Sequence, residues 1–84
     1  MTTGTIRYWA AARDAAGTAE EQYAEPTLAA ALTAARDRHG QGFAQVLDRC
    51  SFLVDDSPVG ARDPATVKLS QGGTVEVLPP FAGG

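Results

Sequence analysis

A two-residue alternation of apolar and polar residues predicts three strands of a sheet. They cover residues 5–10, residues 51–55 and Thr74–Leu78. Because successive side chains of a strand point to opposite faces, six residues are expected to face the core: Ile6, Tyr8, Phe52, Val54, Val75 and Val77. Residues 20–25 form a weaker, edge-like strand around Tyr23, and Pro26 ends it.

Helical spacing of apolar residues follows Pro26. Four of them recur as one stripe, at the spacing expected for the buried side of a helix: Leu28, Ala31, Leu32 and Ala35. Thr27 is the expected N-cap, the last turn is basic, and Gly40 is the expected stop. The alanine-rich residues 11–16 predict a short helical turn that is closed by Gly17 in a left-handed conformation.

The other segments predict connections. Residues 41–49 read as a loop or short helix, residues 56–58 as a turn, and the stretch through Val67 and Leu69 as an irregular piece leading to a turn at Gly72 and Gly73. One mixed sheet with one main helix across a face is an α+β domain. We expect residues 1–78 to form the domain and residues 79–84 to form an extended C-terminal tail.

Composition narrows the function. Apolar residues make up 44% of the 84 residues and charged residues 20%, as in ordinary globular domains. The net charge is −3 and the seven basic residues are scattered, which argues against a nucleic-acid partner. A single cysteine excludes an intrachain disulfide. Neither a signal peptide nor an apolar run near the ~20 residues of a membrane span is readable, so no membrane association and a cytoplasmic location are expected.

Few side chains offer catalysis. One histidine and one cysteine are too few for a zinc site, so no metal is expected. A nucleophilic pair of Cys50 and His39 is conceivable, but a small buried hydrophobic role for Cys50 is favoured. The carboxylate pairs at residues 20–21 and 55–56 are adjacent only in sequence, and we interpret them as solvated edge and turn charges. The chain is not expected to be an enzyme by itself.

The C-terminal sequence PPFAGG is unusual. Pro79 and Pro80 favour a stiff, extended path, and six residues at about 3.3 Å each would reach roughly 20 Å. Gly83 and Gly84 lack Cβ atoms, so the tip is narrow enough for a tight channel. The ionised carboxylate of Gly84, with an ordinary pKa of about 3.5, is a poor electrophile. The tail therefore predicts a separate, ATP-using partner that activates it.

Five segments together resemble the small, sulfur-carrying subunit of molybdopterin synthase, within the ubiquitin-like β-grasp family of sulfur carriers. They span nearly the whole chain, at residues 6–10, 12–17, 26–28, 52–55 and 75–84. The pairing of the N-terminal block with the closing PPFAGG carries the resemblance. Phe81 stands where smaller residues are common in the family, and Asp55-Asp56 replaces a turn that contains Asn.

The resemblance implies a ubiquitin-like β-grasp fold and a sulfur-transfer cycle. A ubiquitin-activating-like adenylyltransferase would use ATP to adenylate Gly84, and a sulfur donor enzyme would convert the acyl-adenylate to a thiocarboxylate. The tail would then enter the large catalytic subunit of molybdopterin synthase and deliver sulfur to the cyclic pyranopterin precursor. Gly84 would be the modified residue and Gly83 would shape the tip. No cofactor is expected on this chain itself.

A docking surface beside the tail is also predicted. If Ile6, Tyr8, Val75 and Val77 face the helix, Trp9 and Leu78 point the other way, and exposed apolar residues near the tail indicate a protein interface. We assign this interface to Trp9, Val59, Leu78, Pro79, Pro80, Phe81 and Ala82. The alternative for Trp9 is packing under the turn at residues 11–16.

Three other functions stay open at this point. A sister carrier could serve thiamine, cysteine or another thiolated product. A ubiquitin-like modifier would join Gly84 to a lysine of another protein. A plain interaction domain would have an inert tail.

Overall fold

The computed structural model of the protein describes residues 2–80 as a mixed sheet packed against helices. In chain order the elements are β1 (Gly4–Tyr8), α1 (Ala10–Ala16), β2 (Glu20–Tyr23), α2 (Leu28–His39), α3 (Gln41–Leu47), β3 (Ser51–Val54), β4 (Ser57–Pro58), a 3-10 turn (Pro64–Thr66) and β5 (Thr74–Leu78). Residues 81–84, and with them the predicted tip of the tail, lie outside the described residues.

The centre of the sheet is a parallel pair formed by the first and last strands. The strand order is β2-β1-β5-β3-β4, and every neighbouring pair other than β1 with β5 is antiparallel. In the parallel pair Ile6 lies beside Val75 and Tyr8 beside Val77. These four side chains are buried in one cluster with the apolar stripe of α2. The predicted α+β architecture, with the main helix across one face, is confirmed.

Local signals in the sequence account for the helix ends. The Oγ1 atom of Thr27 accepts a hydrogen bond from the Ala30 N–H at 3.2 Å, as expected of an N-cap. Gly17 has φ 75° and donates its N–H to the Arg13 carbonyl, which closes α1 in the predicted left-handed conformation. Gly40, at φ 87°, ends α2.

The hairpin after β3 differs from its prediction. The turn consists of Asp55 and Asp56, both at positive φ (50° and 69°), so that Ser57 and Pro58 pair with β3 as the short strand β4. Two consecutive left-handed residues suit a two-residue hairpin, a conformation that Asp tolerates better than most residues. Asp55 is also not a freely solvated charge, because its Oδ1 accepts from the Thr74 N–H at 2.9 Å and its Oδ2 from the Ser70 hydroxyl at 3.1 Å.

Tyr23 locks one end of the central pair. It is buried on the edge strand β2, and its hydroxyl donates to the Ser70 carbonyl at 2.5 Å. The ring lies so close to Gly4 that a Cβ there would fall 2.3 Å from the ring carbon Cζ and 2.5 Å from the Gly73 carbonyl oxygen. The start of β1 therefore requires glycine for space.

Glu21 anchors the other buried polar contact of β2. Its carboxylate accepts hydrogen bonds from the Tyr8 hydroxyl and from His39, whose Nε2 lies 2.6 Å away, and it pairs with Arg38 at 3.2 Å. Partial burial alone would raise the pKa of this carboxyl, but the hydrogen bonds from Tyr8 and His39 and the charges of His39 and Arg38 outweigh burial and lower it. The interpretation of Glu21 as a solvated edge charge is wrong. An inward-pointing charge on an edge strand also discourages pairing with other chains.

We predict that Gly4→Ala lowers the free energy of unfolding by at least about 2 kcal/mol, because the new methyl group must displace the Tyr23 ring or the Gly73 backbone. The matched control is Gly42→Ala in α3, where a Cβ meets nothing within 4 Å and helix propensity favours alanine by about 0.5–1 kcal/mol. The midpoints of urea unfolding give both changes in the free energy of unfolding, provided that the dependence of this free energy on urea concentration (the m value) stays constant. Equal midpoints for Gly4→Ala and the wild type would show that the close approach is not a constraint.

A second prediction concerns acid stability. Because the pKa of Glu21 in the folded state lies below its ordinary value of 4.5, the carboxylate stabilises the fold above that value, and this contribution is lost as the pH falls through the lowered pKa. Glu21→Gln should destabilise the protein by about 1–3 kcal/mol at pH 7 and should approach the wild type in acid. Urea midpoints between pH 3 and pH 7 test this.

The control for that experiment is Glu20→Gln. Glu20 forms an exposed pair with Arg7 at 3.4 Å, and such pairs contribute about 0–1 kcal/mol. If both variants lose the same amount of stability at pH 7, the contacts of Glu21 with Tyr8, Arg38 and His39 stabilise the fold no more than the exposed Glu20–Arg7 pair does.

Candidate functional site

The candidate site is an apolar groove at the end of the sheet where the chain leaves β5. It encloses about 920 Å³. Its lining comes from the β1–α1 junction, the end of β5 and the start of β3: Trp9, Ala10, Ala11, Ser51, Glu76, Leu78, Pro79 and Pro80. The groove therefore adjoins the base of the predicted tail.

Trp9 is the main apolar side chain of the groove. Its backbone is fixed, since its N–H donates to the Val77 carbonyl at 3.2 Å and its carbonyl accepts from the Ala12 N–H at 3.0 Å. The side chain remains 46% exposed, and the indole Nε1 donates to Glu76 Oε1 at 3.2 Å. The prediction that Trp9 points toward solvent is confirmed, and the alternative of packing under α1 is wrong.

The backbone at Ala10 turns sharply beside Trp9. Ala10 has φ 49°, a left-handed conformation that costs a residue with a Cβ about 1–2 kcal/mol. Ala10 is the first residue of α1, and Ala10 and Ala11 both line the groove. Small side chains at this junction leave the indole ring accessible.

Leu78, Pro79 and Pro80 form the other wall. Leu78 and Pro79 are half-buried and Pro80 is exposed, whereas Val75 and Val77 are fully buried on the opposite face of β5. This alternation agrees with the predicted outward position of Leu78. Four other predicted site residues, Phe81, Ala82, Gly83 and Gly84, lie outside the part of the chain that the structure describes.

Val59 does not belong to the exposed surface, so its assignment there is wrong. It is only 4% exposed and belongs to the core cluster. Its N–H donates to the Phe52 carbonyl at 3.0 Å, so it lies opposite Phe52 across the hairpin. Facing residues of an antiparallel pair share a face of the sheet, and Phe52 packs against the core.

Sequence reasoning missed Glu76 as part of the site. Its alternation with Val75 and Val77 places it on the outward face with Leu78, a signal that the sequence does contain. Its contact with Trp9 depends on the parallel pairing of β1 with β5. No local pattern in the sequence reports that pairing.

The two candidate nucleophilic residues have other partners. Cys50 is half-buried, its thiol donates to the Val46 carbonyl at 3.2 Å, and burial raises its pKa, which disfavours the reactive thiolate. His39 pairs with Glu21 instead. Between residues 2 and 80 there is no group of three His, Cys, Asp or Glu residues that could hold a metal ion. None of the helices in that range is long and apolar enough to cross a membrane.

Alanine substitutions at Trp9 and Val59 should differ in how much they lower the free energy of unfolding. Trp9→Ala should cost less than about 1 kcal/mol, because the indole is a surface group and the backbone hydrogen bonds remain. Val59→Ala removes buried methyl groups and should cost about 1–3 kcal/mol. Urea unfolding of both variants measures the difference, and a Trp9→Ala loss as large as that of Val59→Ala would place the indole in the core.

Solved structures with the same fold come from several functional settings. Small archaeal modifier protein 1 from Methanosarcina acetivorans superposes with a TM-score of 0.85 at 18% identity, over 100% of this chain and 98% of that chain. A chain in the complex of subunits 1 and 2 of the molybdopterin-converting factor from Helicobacter pylori superposes with a TM-score of 0.70 at 19% identity, over 99% of this chain and 100% of that chain. CysO from Mycobacterium tuberculosis superposes with a TM-score of 0.75 at 16% identity, over 92% of this chain and 98% of that chain.

These likenesses show the fold, and the predicted ubiquitin-like β-grasp is confirmed. No curated protein matches the sequence. The model of the ThiS family matches residues 6–84, which include the last three residues of β1, all of α2 and β5, and the closing Gly83-Gly84. The chain therefore belongs to the ThiS family.

Proposed function

We propose that this protein is a sulfur carrier for molybdenum cofactor biosynthesis, acting as the small subunit of a molybdopterin synthase. The observation that carries the proposal is the placement of an exposed apolar groove at the base of a segment that ends in Gly-Gly. A carrier needs both parts, because a partner must hold the domain while the chain end enters its catalytic pocket. The ThiS family match supports the carrier role.

The chemistry takes place at the carboxylate of Gly84. In an activating partner, a carboxylate oxygen of Gly84 attacks the α-phosphorus of ATP and pyrophosphate leaves. The resulting acyl-adenylate is a good electrophile. Sulfide supplied by a sulfur donor enzyme then displaces AMP and leaves a thiocarboxylate. The carrier contributes no catalytic side chain in this cycle, and it is not an enzyme by itself. The cycle belongs in the cytoplasm, where ATP is available.

Delivery of sulfur requires a second partner. In the proposal the thiocarboxylate enters the large catalytic subunit of molybdopterin synthase, and its sulfur is transferred to the cyclic pyranopterin precursor. The solved complex of two subunits of a molybdopterin-converting factor is a precedent for such a pairing. The extended backbone of consecutive prolines at the base of the tail suits insertion, because each proline fixes φ and limits the conformations lost on binding.

A sister carrier is the second candidate, and a specific observation favours it. CysO has the same fold at a similar TM-score. The helical block at residues 12–17 and the Pro79-Pro80 pair favour the molybdopterin assignment, since both match the small-subunit pattern. Reconstitution separates the two: with a pterin-binding large subunit the carrier should convert the precursor to a dithiolene product, and failure with an active large subunit would favour another acceptor.

We predict that deletion of Gly84 abolishes function without affecting folding, because the last core residue is Val77 and the last strand ends at Leu78. Intact-mass analysis after incubation with the activating enzyme, ATP and a sulfur donor should show a gain of about 16 Da for the wild type, as oxygen is replaced by sulfur. The deletion variant should show none. The matched control carries one alanine added after Gly84, which preserves every native residue but moves the carboxylate.

Two outcomes would contradict the proposal. Unchanged precursor conversion by the deletion variant would show that the tail is inert. A ladder of heavier conjugates in the host would indicate a protein modifier, as the fold similarity to small archaeal modifier protein 1 also allows.

A further inference from the structure

Glu76 is a charged residue in an otherwise apolar or neutral groove. It lies in the middle of β5, between Arg7 of β1 and Leu53 of β3 in the register of the sheet. It points to the same face as Leu78, is half-buried, and accepts one hydrogen bond, from the Trp9 indole at 3.2 Å. The tail begins three residues further along, at Pro79.

Among residues 2–80 no basic side chain forms an ion pair with Glu76. Arg7, its neighbour in the sheet, pairs with Glu20 on the other side at 3.4 Å. The other basic side chains that form ion pairs or hydrogen bonds with carboxylates within residues 2–80 are Arg36, Arg38 and His39, and their partners are Asp48 and Glu21. Among the described residues, Glu76 therefore accepts one hydrogen bond from a neutral donor and forms no ion pair, although Arg7 lies beside it in the sheet. The Trp9–Glu76 contact is exposed, so in the free protein the remaining acceptor sites are accessible to water.

A partner that covers the groove removes this water. A carboxylate can accept about four hydrogen bonds, and a buried charge with a single neutral donor is strongly unfavourable. The groove is useful for docking only if the partner supplies the missing donors. An arginine meets this requirement best, because its planar guanidinium offers several N–H groups to one carboxylate.

We propose that Glu76 selects the docking partner, and that the partner is an activating enzyme which places a basic side chain, preferably arginine, against Glu76 beside an apolar group on Trp9 and Leu78. This inference rests on the proposed function for the identity of the occupant. The activating enzyme is chosen because it must bind the chain before any thiocarboxylate has formed, and the groove is an exposed apolar surface at the base of the tail.

The test measures ATP–pyrophosphate exchange by the purified activating enzyme from the same organism, as a function of carrier concentration. Glu76→Gln keeps an oxygen for the Trp9 N–H and removes only the charge. It should raise KM for the carrier about tenfold with kcat unchanged, and Glu76→Arg should raise KM by more than about a hundredfold. For the wild type KM should rise with ionic strength, and for Glu76→Gln that dependence should be weaker.

The matched control is Asp37→Asn. Asp37 is an exposed residue of α2 outside the groove, and its substitution leaves the Arg7–Glu20 pair beside Glu76 intact. Its KM should stay within about twofold of the wild type, as expected for an exposed charge without a partner across the interface. Urea midpoints of all three variants confirm that the fold is retained.

Calorimetry of the binding between each carrier variant and the activating enzyme is measured in parallel. Together with the kinetics, it distinguishes a failure of this inference from a failure of the proposed function. Equal KM, equal affinity and equal salt dependence for the wild type and Glu76→Gln overturn the role of Glu76. An effect of Glu76→Gln on binding to the pterin-binding large subunit alone overturns the choice of occupant. A wild-type chain that binds the activating enzyme but is never adenylated overturns the proposed function. In that case the ratio of the affinities of the wild type and of Glu76→Gln for the enzyme still tests the inference about Glu76.

Discussion

The parallel pairing of β1 with β5 is the constraint on which the rest of the molecule depends. It joins the two ends of the chain in the middle of the sheet, so that Ile6 and Tyr8 meet Val75 and Val77 in the core. The same register brings the residue after β1 next to the end of β5. Trp9 donates its N–H to Val77 for this reason, and the groove forms where the tail begins.

The two ends of this central pair are built differently. At one end Tyr23, Gly4 and Gly73 are packed so closely that no additional atom fits, and Asp55 binds the first residue of β5 through its backbone. At the other end the walls are apolar but open, and the indole of Trp9 is only half covered. Tight packing at the closed end holds the register, and this register positions the residues of the open end.

The sequence allowed most of the fold to be predicted, for identifiable reasons. The alternation around Val75 and Val77, the stripe of α2, and the caps at Thr27 and Gly17 are local signals. The errors arose where contacts are distant in sequence. The hairpin turn is formed by Asp55 and Asp56 and not by residues 56–58, and Val59, which is assigned to the docking surface from the sequence, lies in the core. Glu21 was interpreted as solvated, since nothing near it in the sequence reports its partners Tyr8, Arg38 and His39.

Alternation along β5 separates what the fold requires from what a partner recognises. Val75 and Val77 must stay apolar and of similar size, because they fill the core of a small domain in which little surface is buried. Glu76 and Leu78 lie between and beyond them on the other face, where substitution leaves the core unchanged. Structures that share only a small part of this sequence nevertheless share its fold. In this chain Glu76 and Leu78 combine an apolar wall with a carboxylate that forms no ion pair among the described residues, and neither side chain belongs to the core.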